Sequence, residues 1–254
     1  MSEPASMPAT PKPPLSVIRK TYIARLVCRC FIFIFLVLLL IFDPSQFTVL
    51  QKDNFFREFS LLHLMWLLWM IDMICQLFPV QKKIALGSHK LFKVRFRPAD
   101  EKINFHALRN YIISTTKAAY KVFILWGAML VVLGVLHRIG VLSDAALFMV
   151  SAAFYVCDLI CVLIWCPFRL MMKNRCCTTC RIFNWDHMMM ITPMMFIGSF
   201  YSRSLLFMAL LVWLIWELCV MMYPERFWEM SNTALQCSEC TDKLCIQYCQ
   251  KLRK

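Results

Sequence analysis

Six apolar runs, near residues 26–42, 59–78, 119–136, 142–165, 187–200 and 204–222, constrain this chain more than any other feature. A hydrocarbon core about 30 Å thick takes roughly 20 helical residues at about 1.5 Å each, so runs of this length read as membrane spans. The fifth is short, and Thr192-Pro193 interrupts it where proline removes a backbone donor and kinks or breaks a helix. Short alternating segments of the kind that build a β-barrel are absent. The expected fold class is therefore all-α, a polytopic membrane helix bundle of about six transmembrane helices paired as three hairpins. Composition agrees: 60% of residues are hydrophobic and only 17% charged, outside the range of soluble domains.

The chain divides accordingly. Residues 1–20 form a Pro-rich polar tail of disordered character, 21–78 a first hairpin, and 79–118 a basic interfacial loop. Residues 119–165 form a second hairpin, 166–186 a cysteine-cluster loop, 187–222 a third hairpin, and 223–254 a cysteine-rich tail. The first run ends in Asp43-Pro44 rather than the small residues of a cleavage site, so it reads as a retained span.

The net charge of +13 invites a nucleic-acid reading, but its placement argues otherwise. Of 28 Lys and Arg, only Lys52, Arg57, Arg138 and Arg203 fall on the side of the three short turns. The positive-inside rule then puts both termini and both long loops in the cytoplasm, of a plasma or inner membrane. In the first long loop Lys90, Lys93, Arg95 and Arg97 alternate with apolar residues, as in a strand or interfacial ribbon. With no folded reader module in view, the expected partners are anionic lipid headgroups, at about 1 kcal/mol per basic side chain, and no nucleic acid. A homo-oligomer is compatible with the sequence.

Three spans carry one acid each: Asp72, Asp158 and Glu217. Each is followed by a cysteine (Cys75, Cys161, Cys219) and then by a proline seven to nine residues beyond the acid. Seven helical residues place such an acid roughly 10 Å from the cytoplasmic end. At about 2.5–3.5 kcal/mol for an Asp at a helix centre, these acids should face the bundle interior and find partners. Arg25, Arg29, Lys117, Lys121 and His187 stand at similar depth. Two uses follow: one acid–base pair per hairpin that fixes packing, or a lining for a proton or small cation. Asp186-His187, beside Trp185, reads as an interfacial helix start rather than an acid–base dyad.

Fourteen cysteines fall into two groups. Those on or near spans, including Cys157, Cys161 and Cys166, read as small apolar side chains. The other seven, Cys176, Cys177, Cys180, Cys237, Cys240, Cys245 and Cys249, lie in the expected cytoplasmic segments. A reducing compartment disfavours disulfides, and paired Cys-x-x-Cys spacing suits a metal gripped by tight turns. Cys177 and Cys180 with Cys237 and Cys240 would complete a four-cysteine zinc site. The tail alone could hold zinc or an iron–sulfur cluster, although its gaps differ from the ferredoxin run. Copper, suited to mixed thiolate and thioether ligands, ranks below both.

No Gly-rich phosphate cradle, HExxH or GxSxG occurs, so nothing nominates an enzyme. The leading expectation is a small-cation transporter or channel-like protein with a zinc clamp on its cytoplasmic face. Membrane redox or thiol–disulfide chemistry, and a non-catalytic scaffold, are the alternatives.

Overall fold

A computed structural model of the chain describes residues 17–51, 54–77, 96–99, 103–174, 179–236 and 238–239. Seven α-helices occur among them: α1 Val17–Phe42, α2 Leu62–Leu77, α3 Phe105–Arg138, α4 Asp144–Leu163, α5 Phe168–Met172, α6 Asp186–Ile191 and α7 Phe200–Met222. The described residues contain no β-strand, only an isolated antiparallel bridge between Pro98 and Asn232.

Four helices, α1, α3, α4 and α7, are long and apolar enough to cross a membrane. The 16 residues of α2 are equally apolar but rise only about 24 Å. The expected fifth span is the broken one. Here α6 stops at Ile191 and a 3-10 turn, Thr192–Phe196, takes over where Pro193 has no N–H to give. The six expected spans thus resolve into four helices of spanning length and two shorter apolar elements.

Polar side chains start three of the helices. Asn104 accepts from the N–H groups of His106 and Ala107 at 3.1 Å each, Ser143 from Ala146 at 3.2 Å, and Ser199 from Ser202 at 3.3 Å. The sequence after Pro98 reads as a short helix from Asp100, carrying Ile103, Leu108 and Tyr111, that leads into the third span. From the Asn104 cap, α3 runs unbroken from Phe105 to Arg138, joining that helix to the span.

Side-chain contacts fix the helix directions. Tyr201 Oη donates to the Leu62 carbonyl at 2.9 Å and Trp66 Nε1 to Ser204 Oγ at 2.9 Å, so α2 and α7 run parallel. Tyr22 packs with Leu159 and Leu163 while Arg29 reaches Tyr155, so α1 runs antiparallel to α4. A short turn reverses α3 into α4, and His137 Nε2 meets Asp144 Oδ1 across it at 2.9 Å. At the same end Asp43, held below the usual carboxylate range by hydrogen bonds from Ser45 and Gln46, shapes the exit from α1.

The broken segment lies in the middle of this arrangement. Met188 to Met194 are buried without exception. Trp126 Nε1 of α3 donates to Thr192 Oγ1 at 3.0 Å, and Thr192 Oγ1 donates to the Met189 carbonyl at 3.2 Å. Gly134 lets the Phe196 ring approach α3, since a Cβ there would stand 2.6 Å from the ring. Non-helical backbone at membrane depth is tolerated only under such protein cover.

Large apolar side chains cover the outside. Phe31 and Ile41 of α1, Ile124 and Val131 of α3, and Phe207 and Met221 of α7 are each at least 65% exposed. An apolar belt of that extent suits hydrocarbon rather than water.

At the end where α2, α4 and α7 finish, the chain after α7 is tied back to the approach to α3. The Arg97 N–H donates to Asn232 Oδ1 at 3.4 Å, Thr233 N–H to the Arg97 carbonyl at 2.9 Å, and Ala99 N–H to the Ser231 carbonyl at 3.1 Å. The Arg97 side chain remains exposed, while Lys90, Lys93 and Arg95 lie outside the described residues.

Candidate functional site

Five ionisable side chains from four helices meet in the apolar interior. Arg29 of α1 is the hub. Its Nη1 donates to Asp158 Oδ2 of α4 at 2.8 Å and to the Tyr155 carbonyl at 2.7 Å. Its Nη2 donates to Asp72 Oδ2 of α2 at 3.3 Å, and the guanidinium lies over the Tyr155 ring, 3.8 Å from its centroid. An arginine suits this position because its planar fork can serve two carboxylates and a ring together.

His187 of α6 closes the far side, with Nε2 at 3.4 Å from Asp72 Oδ2 in ion-pair range but outside hydrogen-bond geometry. Its Nδ1 lies 2.9 Å from Gln76 Nε2 and 3.3 Å from Asp186 Oδ2. Gln76 Nε2 also donates to Asp186 Oδ2 at 3.2 Å. His187 is almost fully buried, with 4% of its side chain exposed, and Asp186 Oδ1 lies buried without a hydrogen bond. Arg29 lies among Asp72, Asp158 and Asp186, and the charge of Arg25 also reaches Asp72. With both arginines counted the cluster carries −1 with a neutral His187 and no net charge with a protonated one.

Glu217 belongs elsewhere. Its carboxylate takes a two-pronged grip from Arg181, with Nη1 to Oε1 at 2.8 Å, and a hydrogen bond from Trp185 Nε1 at 2.7 Å. The register of α2 against α7 supplies the reason. Trp66 lies beside Ser204, so Asp72 is six residues beyond that level and Glu217 thirteen, an offset of roughly 10 Å along the axis. The pairing is accordingly not one acid with one base per hairpin. Arg29 serves acids of two hairpins, and the third acid draws its cation from the segment before α6. Arg25 lies 5.9 Å from the Tyr22 ring centroid, and Lys117 and Lys121 are exposed on α3.

A cavity of about 290 Å³ opens beside the cluster, with Asp158 and Asp186 in its wall. The rest of its lining is apolar or sulfur-bearing, including Cys157, Cys161, Cys166 and Cys180. Beyond the end of α4, the neighbouring Cys161 thiol and the backbone amides of Phe168 and Arg169 hold the Cys166 thiol below the ordinary thiol range, against the opposing effect of burial. Of the seven expected metal ligands only Cys180 is described, in the wall of this cavity. Cys176, Cys177, Cys237, Cys240, Cys245 and Cys249 lie outside the described residues. Among the described residues no group of three or more His, Cys, Asp or Glu is arranged to hold a metal ion.

Gln76, Tyr155, Arg181 and Trp185 complete these clusters without having stood out in the sequence. Asp186-His187 did stand out, and Asp186 does begin a helix, but the pair turns inward to Asp72 and Gln76 rather than to an interface.

Comparison with protein families, curated proteins and solved structures finds no match to this chain. What the fold defines is a helical bundle with four helices of membrane-spanning length and an apolar exterior, the build of an integral membrane protein.

Proposed function

We propose that this protein moves protons or another small cation, using the cluster of Arg29, Asp72, Asp158, Asp186 and His187 as its binding station. The gathering of three carboxylates and a histidine in an apolar bundle supports this reading above all else. With His187 neutral the partly buried cluster is left at −1, which is costly and which a proton or monovalent cation relieves. The cavity gives Asp158 and Asp186 a place to meet such an ion. Glu217, already held by Arg181 and Trp185, acts here as a packing anchor. The cysteine pairs at Cys177/Cys180 and Cys237/Cys240 would add a zinc clamp at the cytoplasmic end.

The test is flux in proteoliposomes carrying an internal pH dye, with an imposed potential or ion gradient. Wild-type protein should acidify or alkalinise the lumen, and Asp158→Asn should abolish the signal while eluting as the same monodisperse species. A structural clasp is the second reading, favoured by the complete engagement of Arg29 between two acids. It predicts no flux from the wild type and only a loss of stability in Asp158→Asn.

A further inference from the structure

The wall of the cavity of about 290 Å³ combines two chemistries. Most of it is aromatic, aliphatic or sulfur-bearing, and Trp126, Phe154, Phe168 and Phe183 all contribute rings. Trp126 has committed its N–H to Thr192 Oγ1, and it packs edge-on against Phe154 with ring centroids 5.1 Å apart. These two side chains therefore offer ring surface and no hydrogen-bonding group. Set into the same wall are two carboxylates, Asp158 and Asp186. Asp186 is only half served. Its Oδ2 takes Gln76 Nε2 at 3.2 Å and stands 3.3 Å from His187 Nδ1, while its Oδ1 is buried with no hydrogen bond. A carboxylate oxygen withheld from water and left without a donor is costly, and native folds rarely leave one so without a reason.

We infer that this cavity binds a small arylalkylamine as its monocation, with the ammonium on Asp186 and Asp158 and the ring among the aromatic side chains. Each part of the ligand answers one part of the wall. An ammonium brings three donors and one positive charge, which serves Asp186 Oδ1 and cancels the −1 that the cluster carries with His187 neutral. Aromatic rings around the carboxylates favour a cation further. An apolar cavity of about 150 Å³ takes up a benzene ring. The larger space here, about 290 Å³, leaves room for a ring with a short alkyl arm. A neutral molecule of the same shape would fill the cavity and leave Asp186 Oδ1 orphaned, and an anion would meet two carboxylates of its own sign. A proton or small cation uses the same carboxylates and leaves the apolar wall uncovered, so it competes with the amine without being excluded. Binding is non-covalent and stands whether or not the charged cluster conducts.

The experiment uses the intact, reduced chain in detergent and phenethylamine as the probe. Binding is read as a rise in melting temperature and as slower maleimide labelling of Cys157 and Cys161 in the cavity wall, with the exposed Cys28 labelled as before. Phenethyl alcohol, 3-phenylpropionate and methylammonium in turn remove the charge, reverse its sign and remove the ring. Each should bind more weakly than phenethylamine by roughly tenfold or more. Asp186→Asn should weaken phenethylamine binding by a similar factor. Cys161→Phe keeps both carboxylates and fills the space with a ring, so it should abolish amine binding while holding or raising the ligand-free melting temperature. Matching elution volumes separate lost binding from lost folding, and the ligand series on the unaltered protein needs no variant to fold. Equal affinity for phenethyl alcohol would overturn the assignment, because the carboxylates would then play no part. Equal affinity for methylammonium would remove the role of the apolar wall, and unchanged binding in Cys161→Phe would move the ligand elsewhere; either sinks the site. A long-chain amine such as sphingosine that binds where phenethylamine does not would refute a compact aromatic ligand in favour of one drawn from the bilayer. None of these readouts depends on flux, so this site and the proposed function stand or fall separately.

Discussion

Replacing Arg29 by Met is the sharpest test of how the bundle is held together. Methionine keeps a long flexible stem but removes the donors to Asp158, Asp72 and the Tyr155 carbonyl at once. Two carboxylates are then left in the interior without their shared cation. Removing one partner from a buried pair costs about 3–5 kcal/mol. The side chains of Asp72 and Asp158 retain 31% and 24% exposure, which places the expected loss at the lower end, about 3 kcal/mol. At roughly 2–4 °C per kcal/mol for a chain of this length, the melting temperature should fall by about 6–12 °C. Adding Asp158→Asn to Arg29→Met neutralises one stranded carboxylate and should recover part of the loss. The resulting double-mutant cycle should give a coupling on the order of 1–3 kcal/mol. The assay is a thermal melt followed by size-exclusion fluorescence in one fixed detergent. Additive single effects, within about 0.5 kcal/mol, would refute the idea that Arg29 and Asp158 form an interacting pair.

Glu217→Gln should destabilise the protein through Arg181, whose side chain is only 7% exposed, by about 1–3 kcal/mol, while leaving ion flux intact. A flux defect in a folded Glu217→Gln would return that acid to the conducting set. Gly134→Ala should lower the melting temperature, by about 1–3 kcal/mol of overpacking against Phe196, whereas Gly127→Ala, with nothing within 4 Å of the new methyl, should be neutral or mildly stabilising. Equal melts for the two would show that the Phe196 ring yields freely. Alkylation of Cys166 should rise at lower pH than that of an ordinary thiol such as the exposed Cys28, because its neighbours hold the thiol below the usual range; mass mapping of labelled peptides across a pH series would show the two rising together if the turn after α4 does not support the thiolate.

The helices were largely legible because hydrocarbon length and proline chemistry are local constraints. Thr192-Pro193 breaks the helix where the dipeptide says it should, and the Ser143 cap starts α4 two residues after the expected run begins, whereas the Ser199 cap starts α7 four residues before the expected 204. The start of α3 was legible to within a few residues: a helix was expected from Asp100, and the cap that the structure uses is Asn104. The membrane acids were recognisable one by one from their cost. Their grouping was not, because it depends on the axial register between α2 and α7, which Tyr201 and Trp66 set through single hydrogen bonds. Similar spacing from acid to proline in three segments says nothing about how far each helix slides along its neighbour. The cavity was hidden as well: in sequence Cys157, Cys161 and Cys166 look like any small apolar residues, and only packing places them in one lining with Asp158 and Asp186.

The short segment of α6 and its 3-10 continuation bears on how such a chain is made. Its eleven residues rise only about 20 Å, less than a hydrocarbon core, and its backbone is broken midway. Lipid cannot satisfy that backbone, so the segment cannot be released into the membrane by itself as a finished unit. Its cover comes from α3 and α4, made before it, and from α7, made after it. Insertion must therefore hold residues 186–196 in a sheltered setting until Met222 has been synthesised. A chain that stalls before α7 presents an unfinished groove to the quality-control machinery of its membrane.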